Sequence, residues 1–181
     1  MNKNLYLIIL PLAILTSNIA QAKLTIESRN IHEGKMLSAA QVYNSFGCTG
    51  KNESPQISIK GIPTNAKSLA ITAYDPDAPT GSGWWHWLAY NIPVTKTEIA
   101  AGDKKIADGV IFGKTDFGSN EFGGACPPVG HGKHHYIFTV YALSVEKLPV
   151  EKDASAALIG YNLNGVTIEK ASITALYERK K

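Results

Sequence analysis

Apolar residues along this chain come in short runs separated by turn signals, a pattern typical of β-strands. Leu24 to Ser28 alternates apolar and polar side chains, whereas Tyr136 to Leu143 is dominated by β-branched and aromatic residues. Because Tyr136 to Leu143 is apolar on both faces, it predicts a central strand that is covered on both sides. Further strands are predicted at Ile57 to Ile59, Ser68 to Tyr74 and Trp85 to Ile92.

The C-terminal part has a different pattern, which predicts a helix. Asp153 can cap a helix through the Ala-rich stretch Ala154 to Tyr161, and Asn164-Gly165 predicts its end. Ile173 to Tyr177 fits a last strand or a short helix. The 16 Gly and 9 Pro residues lie mostly between apolar runs, and no repeat or linker-like stretch is present. We therefore expect one mostly-β domain over residues 23–181, with a few peripheral helices.

Residues 1–22 carry the pattern of a secretory signal peptide. Lys3 supplies a positive charge, Leu5 to Leu15 is apolar apart from Pro11, and Ala20-Gln21-Ala22 is a small-x-small cleavage site. The apolar run is short for a membrane span of about 20 residues, and an uncleaved anchor or a buried helix are the alternatives. We expect a periplasmic or secreted protein that begins at Lys23 and has no stable membrane insertion.

Charge and cysteine content narrow the class of protein further. The net charge is +3 and the lysines are scattered, which argues against a nucleic-acid-binding surface. In an oxidising compartment Cys48 and Cys126 can form a disulfide, with two unpaired thiols as the alternative. Two thiols alone make a poor zinc site, and neither lies in a CxxC pair. We expect the disulfide, no bound metal and no cofactor.

The segment Asp75-Pro76-Asp77-Ala78-Pro79 is the first of two that carry candidate chemistry. Each proline fixes its own φ and favours an extended conformation for the residue before it. Asp75 and Asp77 are therefore expected to project from a stiff loop as ligand-binding carboxylates, with Pro79 beside them. The alternative is turn chemistry, because Asp side chains commonly accept hydrogen bonds from nearby backbone in turns.

The strand after this loop carries His86 among three tryptophans. Regular alternation predicts Trp84, His86 and Leu88 on one face of the strand, and Trp85 with Trp87 on the other. His86 would then lie among large apolar surfaces, where water is scarce. A buried histidine that bonds a backbone group is the alternative to a ligand-binding histidine.

The second segment runs from Gly113 to Tyr136 and contains two adjacent glycines, a proline pair and several histidines. Gly123 and Gly124 allow close approach of the backbone to a ligand, and their N–H groups are expected to be free to bind an anion. Pro127-Pro128 is expected to hold this loop rigid. His134 and Tyr136 share one face of the next strand and supply hydrogen-bond donors.

Asp75, His86, Gly124 and His134 together predict a concave and mostly apolar pocket with few polar groups, as in many small-ligand sites. Its donors would bind phosphate or another small anion, and Asp75 would receive the ammonium end of a phosphoethanolamine head group or hold an imidazole. A metal on Asp75, His86 and His134 is an alternative. The sequence has neither a Gly-x-Ser-x-Gly elbow nor an HExxH pair, so we expect no enzyme.

Both segments resemble the signatures of the phosphatidylethanolamine-binding protein family, in particular its bacterial, Raf-kinase-inhibitor-like branch. The loop from Asp75 to Pro79 matches the first signature, and the Gly-Gly-Ala-Cys-Pro-Pro-x-Gly run followed by His134-x-Tyr136 matches the second. The resemblance implies a β-sandwich with a central antiparallel sheet, a smaller second sheet and peripheral short helices. By motif position it implies these ligand contacts: Asp75, Trp84, His86, Gly124, Pro128, His134 and Tyr136.

Two functions fit the sequence at this stage. The first is non-enzymatic binding of phosphate-bearing head groups or small anions. The second is an exported protein-interaction or inhibitor module, a role also known in the family, whose loop from Val129 to His135 would contact a partner protein. The expected export makes a cytoplasmic kinase partner implausible, so the name of the branch does not indicate a function here.

Overall fold

The computed structural model describes residues 22–181, so the predicted signal peptide lies outside the described residues except for Ala22. Two antiparallel sheets pack against each other: a five-stranded sheet in the order β6-β4-β3-β7-β8 and a three-stranded sheet in the order β1-β2-β5. This confirms the predicted sandwich. The strands are β1 (Thr25–Glu27), β2 (Ile57–Lys60), β3 (Ser68–Asp75), β4 (Trp84–Ile92), β5 (Glu98–Ile99), β6 (Ile111–Phe112), β7 (His134–Leu143) and β8 (Thr167–Tyr177).

The five-stranded sheet is covered on both faces. One face packs on the small sheet, where Ile59 of β2 and Phe138 of β7 belong to the same buried cluster. The other face packs on a single helix, α1 (Ala156–Val166), where Tyr141 of β7 meets Ile159. The prediction that β7 is covered on both sides is therefore confirmed. Apolar burial on two faces fixes the positions of β3, β4 and β7 firmly.

The predicted bounds of the helix are wrong at both ends. Helix α1 is capped by Ser155, whose side chain accepts a hydrogen bond from the Leu158 N–H, and Asp153 lies before it. The helix also continues through Gly165, because this glycine does not adopt the positive φ that ends many helices. It ends at Thr167, which turns extended and begins β8 directly. Ile173 to Tyr177 is thus part of a strand.

A bulge interrupts the pairing of β3 and β4. Ala73 pairs with Trp87 and the next residue, Tyr74, pairs with Trp85, so His86 has no partner on β3. A bulge of this kind reverses the alternation of side chains along the strand. The prediction that Trp85 and Trp87 share a face is therefore wrong: Trp85 packs beside α1, whereas Trp87 packs between the two sheets.

Helix α1 has 11 residues, and the described part of the chain contains no helix long and apolar enough to cross a membrane.

Candidate functional site

A cavity of about 180 Å³ lies where β3 ends and where β4 and β7 begin; we call it the histidine cavity. The two sequence segments meet here because antiparallel pairing places these three strand ends at one edge of the sheet. Of the predicted residues, the cavity is lined by Asp75, Pro79, Trp84, His86, Pro128, His134 and Tyr136. Two others, Asp77 and Gly124, are not among its lining residues.

His86 lies at the β-bulge, lines the cavity and is fixed there by Gly123. Its Nδ1 lies 2.7 Å from the Gly123 carbonyl oxygen, and its own carbonyl accepts a hydrogen bond from the Gly123 N–H at 2.9 Å. A carbonyl oxygen can only accept, so Nδ1 carries the proton and Nε2 has a lone pair in the neutral ring. Burial lowers the pKa of His86 below its usual value, because it disfavours the charged imidazolium.

His134 forms the opposite wall and is held by a carboxylate. Its Nδ1 lies 2.7 Å from Asp75 Oδ2, and both side chains are almost fully buried. The other oxygen of Asp75 accepts a hydrogen bond from the Asp77 N–H at 2.8 Å. Asp75 therefore makes the predicted turn contact and also orients the histidine. Removal of one partner from a buried pair of this kind strongly destabilises the folded protein.

Asp77 points away from the cavity and pairs with a neighbouring histidine. Its Oδ2 accepts hydrogen bonds from the backbone N–H and the ring Nδ1 of His135, both at 2.7 Å. Partial burial would raise the pKa of Asp77, but these hydrogen bonds from His135 together lower it below its usual value. Because this pair is exposed to solvent, its role in the structure is to hold the loop rather than to line the cavity.

The prediction that Gly123 and Gly124 offer free N–H groups is wrong. The Gly124 N–H donates to Asn52 Oδ1 at 2.6 Å, and the Gly123 N–H donates to the His86 carbonyl. A Cβ at Gly124 would lie 2.5 Å from the Gln41 carbonyl oxygen and 2.6 Å from the Tyr43 nitrogen. Gly124 is therefore required for the close packing of two backbone segments behind the cavity.

Two hydrogen-bond donors on the cavity wall have no partner among residues 22–181. They are the hydroxyl of Tyr136 and Nε1 of Trp84, and both atoms are buried. Burial, together with the nearby charge of Asp75, raises the pKa of Tyr136 far above its usual value, so the phenol stays protonated. Buried polar groups are nearly always paired in folded proteins, and these two donors are therefore available to a ligand that has acceptor atoms.

The mouth of the histidine cavity is aromatic. Phe117 packs edge-on against His86 with ring centroids 5.2 Å apart, and Phe46 lies 5.9 Å from Phe117. Phe46 is 65% exposed although it lines the cavity. Sequence reasoning missed Phe46, because it lies far from both motifs and no local pattern marks it.

The loop that carries Phe46 is fastened to the motif loop by the predicted disulfide between Cys48 and Cys126, which is present. Arg179 adds two hydrogen bonds across the same junction, from Nη1 to the Pro127 carbonyl and from Nη2 to the Gly47 carbonyl. The C-terminal segment thus supports this wall of the cavity.

A larger, open groove of about 610 Å³ lies elsewhere on the described surface, but its chemistry is less specific. Its lining contains both positively and negatively charged side chains, and Lys104 forms a solvent-exposed ion pair with Glu121. None of its lining atoms is a buried polar group without a partner. Within residues 22–181 no group of three or more His, Cys, Asp or Glu side chains is placed to hold a metal ion. The histidine cavity is therefore the candidate site.

This fold and this site define a class: a β-sandwich that carries a small ligand cavity at one edge of its larger sheet. The family model for phosphatidylethanolamine-binding protein matches residues 27–178, and the chain belongs to that family. It is 47% identical over 174 residues to the UPF0098 protein YbcL of Escherichia coli, covering 93% of this chain and 95% of the relative. A second relative from the same organism, YbhB, is 42% identical and covers 83% of this chain and 97% of its own length.

The solved structures agree with this assignment. The crystal structure of Escherichia coli YbcL, described as a new member of the mammalian family, superposes with a TM-score of 0.84 and covers 87% of this chain and 99% of its own. A homologue from Chlamydia trachomatis, 27% identical, gives a TM-score of 0.72 and covers 87% and 98% of the two chains. The family resemblance seen in the two motifs is thus confirmed.

Proposed function

We propose that this protein binds a small anion, chiefly a phosphate-bearing head group, in the histidine cavity, and that it is not an enzyme. The observation that carries the proposal is the pair of buried donors without a partner among residues 22–181, Tyr136 Oη and Trp84 Nε1, in a cavity that two histidines also line. Phosphate oxygens would satisfy both donors, and charge-assisted hydrogen bonds of this kind are shorter and stronger than neutral ones. A cavity of about 180 Å³ suits a head group better than a larger ligand.

The chemistry of the walls favours recognition over catalysis. His134 is already held by Asp75, and His86 by a carbonyl, so both rings are fixed in orientation. We find no serine, threonine or cysteine thiol on the described cavity wall that lies within hydrogen-bond distance of either ring, as a nucleophile–base pair would require. A positively charged group such as ethanolamine would meet the Asp75 carboxylate at the floor.

We also propose that the protein acts outside the cytoplasm. The signal-peptide pattern in residues 1–22 supports export, and the Cys48–Cys126 disulfide suits an oxidising compartment. Cell fractionation checks this directly: the mature chain should be recovered with periplasmic or secreted proteins and should begin at Lys23. Recovery of the full-length chain in the cytosol would contradict it.

The test of binding is a titration with O-phosphorylethanolamine followed by two-dimensional NMR. Saturable shifts should cluster at Asp75, Trp84, His86, His134 and Tyr136, and replacement of His86 by alanine should abolish them while the remaining spectrum stays dispersed. Phosphatase and esterase substrates should not be turned over above background. An absence of shifts at tens of millimolar ligand would overturn the anion-binding proposal.

Two exposed apolar side chains, Phe46 at the mouth and Val129 on the neighbouring motif loop, favour a second candidate function, which is contact with a partner protein. Phe46 and Val129 are 65% and 52% exposed. Large exposed apolar side chains at the rim of a site are typical of interaction surfaces when they form a contiguous patch. Affinity capture from an exported protein fraction should then recover a stoichiometric partner with the wild type and lose it with Phe46→Ser. Recovery of the same partner by both proteins would count against this surface.

A further inference from the structure

His131 contacts the histidine cavity although it belongs to neither wall. Its Nδ1 lies 2.8 Å from Nε2 of His134, and the two ring centroids are 5.1 Å apart. His134 already uses its other nitrogen on Asp75. The three side chains therefore form one hydrogen-bonded chain that runs from the buried carboxylate of Asp75 to an exposed imidazole.

This contact occupies the atom of His134 that a bound anion would need. Between two imidazole nitrogens at this distance, one must donate and the other accept, whichever ring carries the shared proton. Nε2 of His134 is the nitrogen not used by Asp75, and His134 lines the cavity whereas His131 does not. An anion accepts a hydrogen bond at Nε2 only when this nitrogen carries a proton, and His131 must then give up its contact with it, so the anion and His131 compete for the same position.

The loop around His131 is exposed to solvent and does not enclose the ring. Gly130 and Gly132 flank it with φ values of 74° and 90°, and a Cβ at Gly132 would meet nothing within 4 Å. The Gly130 N–H is anchored to the Arg179 carbonyl at 2.7 Å, so the loop has a fixed base and an open tip. His131 itself is exposed, and the only described hydrogen bond of its ring is the one to His134.

We infer that His131 is a latch that caps Nε2 of His134 in the empty cavity and is displaced when an anion binds. This inference rests on the proposed function, because it assigns to one side chain the control of the same site. It makes His131 an internal competitor: the hydrogen bond that it makes to His134 must be given up before the phosphate oxygens can take that position. Removal of the imidazole should therefore strengthen binding, whereas removal of an ordinary ligand contact would weaken it.

The test is calorimetric titration of the full exported protein with inorganic phosphate at neutral pH. His131→Ala should bind phosphate about two- to tenfold more tightly, as expected when one competing hydrogen bond is removed. His131→Asn keeps an N–H near the position of Nδ1 and should return the affinity toward that of the wild type. His32→Ala removes another exposed histidine and controls for the loss of a surface imidazole.

A second measurement needs no ligand. In the free protein, ¹⁵N NMR should detect a coupling across the N–H···N hydrogen bond between His131 Nδ1 and His134 Nε2, and saturation with phosphate should abolish it. Absence of the coupling in the free protein, or its persistence at saturation, would overturn the latch. Weaker or unchanged binding by His131→Ala, beside a wild type that does bind, would overturn the latch alone; failure of both proteins to bind phosphate would overturn the proposed function with it.

Discussion

The two walls of the histidine cavity hold their imidazoles in the same geometry with different partners. His86 and His134 are both buried, at 4% and 1% exposure, and each places Nδ1 2.7 Å from an oxygen. The oxygen is a backbone carbonyl of Gly123 for His86 and a carboxylate of Asp75 for His134. A carboxylate compensates a positive charge on the ring, whereas a carbonyl offers a dipole alone.

This difference shows that the partner of Nδ1, and not burial alone, sets what each wall can do. On the His86 wall, burial holds the ring neutral and leaves a lone pair at Nε2, so a proton must be added before this nitrogen can donate to an anion. On the His134 wall, the charge partner is built in, and Nε2 is already engaged by His131. Anion binding at His86 therefore depends on the addition of a proton, and anion binding at His134 depends on the displacement of the His131 side chain.

We expect the largest loss of stability when the carboxylate partner of His134 is replaced by a neutral group, which makes it similar to the carbonyl partner of His86. Asp75→Asn replaces the carboxylate by a neutral amide, whose single oxygen cannot serve both the His134 Nδ1–H and the Asp77 N–H. We expect the free energy of unfolding to fall by about 3–5 kcal/mol, as when a buried pair loses one partner. Urea denaturation measures the loss, and ¹⁵N NMR should show His134 changing its tautomer.

The matched control for this variant is Asp77→Asn. It removes a carboxylate from the same loop, but the Asp77–His135 pair is exposed, and surface pairs contribute about 0–1 kcal/mol. Equal losses of stability in the two variants would mean that burial of the Asp75–His134 pair has no special role, and the contrast between the walls would lose its basis.

The next effect concerns the backbone behind the His86 wall. Gly124→Ala would place a Cβ within 2.6 Å of backbone atoms of Gln41, Val42 and Tyr43, none of which can rotate away. We expect a loss of about 1–3 kcal/mol, as in other overpacked sites, measured by thermal denaturation. The Gly123 carbonyl should shift with the strain, so the His86 ring resonances should move while those of His134 stay in place.

Gly165→Ala is the control for the glycine substitution. Gly165 lies in helix α1, lacks a positive φ, and has open space around its Cβ position. Alanine there should be neutral or raise the stability by up to about 1 kcal/mol, because it improves helix propensity. A loss at Gly165 as large as that at Gly124 would contradict the assignment of close backbone contact as the cause.

Much of this arrangement could be predicted from the sequence, because it depends on local patterns. The mostly-β domain and the coverage of β7 on both faces follow from apolar runs, whereas the sandwich and cavity residues such as Trp84 and Pro128 were implied by the family resemblance of two motifs. The faces of β4 could not be predicted from the sequence, because the bulge at His86 depends on the pairing of β4 with β3. Strict alternation fails wherever one extra residue enters a strand.

The remaining differences also have non-local causes. Gly124 carries the motif, yet its N–H is taken by Asn52, 72 residues away along the chain. Phe46 reaches the mouth through the disulfide loop, and His131 reaches His134 through a turn flanked by glycines. No periodicity or spacing encodes such contacts, so the motif residues of the site were predictable, whereas Phe46 and the partners of the histidine nitrogens were not.

A smaller effect tests the proton-controlled wall. Since burial lowers the pKa of His86, the folded protein binds this proton less readily than the unfolded chain, whose histidines titrate near about 6.5. Above about pH 6.5 His86 is neutral in both the folded and the unfolded protein, and the full stability is present. As the pH falls from there toward the pKa of His86 in the folded protein, the unfolded chain takes up the proton first, and the stability decreases. Binding of an anion should draw the proton onto Nε2 and oppose this loss.

Sulfate is the suitable probe, because it does not titrate near neutral pH. Its affinity should rise as the pH falls, by up to about tenfold per pH unit over the range in which binding takes up one proton. Calorimetry in buffers of different ionisation enthalpy measures that uptake, and His86→Gln should flatten the pH profile. A steep profile that survives in His86→Gln would assign the proton to the other wall.

The smallest effect separates the donors of the cavity from those of the core. Tyr136→Phe removes a buried hydroxyl that has no partner in the described residues, so the free energy of unfolding should stay unchanged or rise by up to about 1 kcal/mol. Phosphate affinity should fall by about 0.5–1.5 kcal/mol, since one donor to the anion is lost. Thermal denaturation and calorimetric titration measure the two quantities.

Tyr90→Phe is the matched control for this last variant. The Tyr90 hydroxyl is also buried without a described partner, but Tyr90 packs on the opposite face of the sheet beside α1. Both variants should change stability alike, because both remove an unsatisfied buried group, and Tyr136→Phe alone should weaken phosphate binding. If Tyr90→Phe weakens phosphate binding equally, the loss of affinity comes from an indirect change in the sheet, and the Tyr136 hydroxyl does not contact the anion.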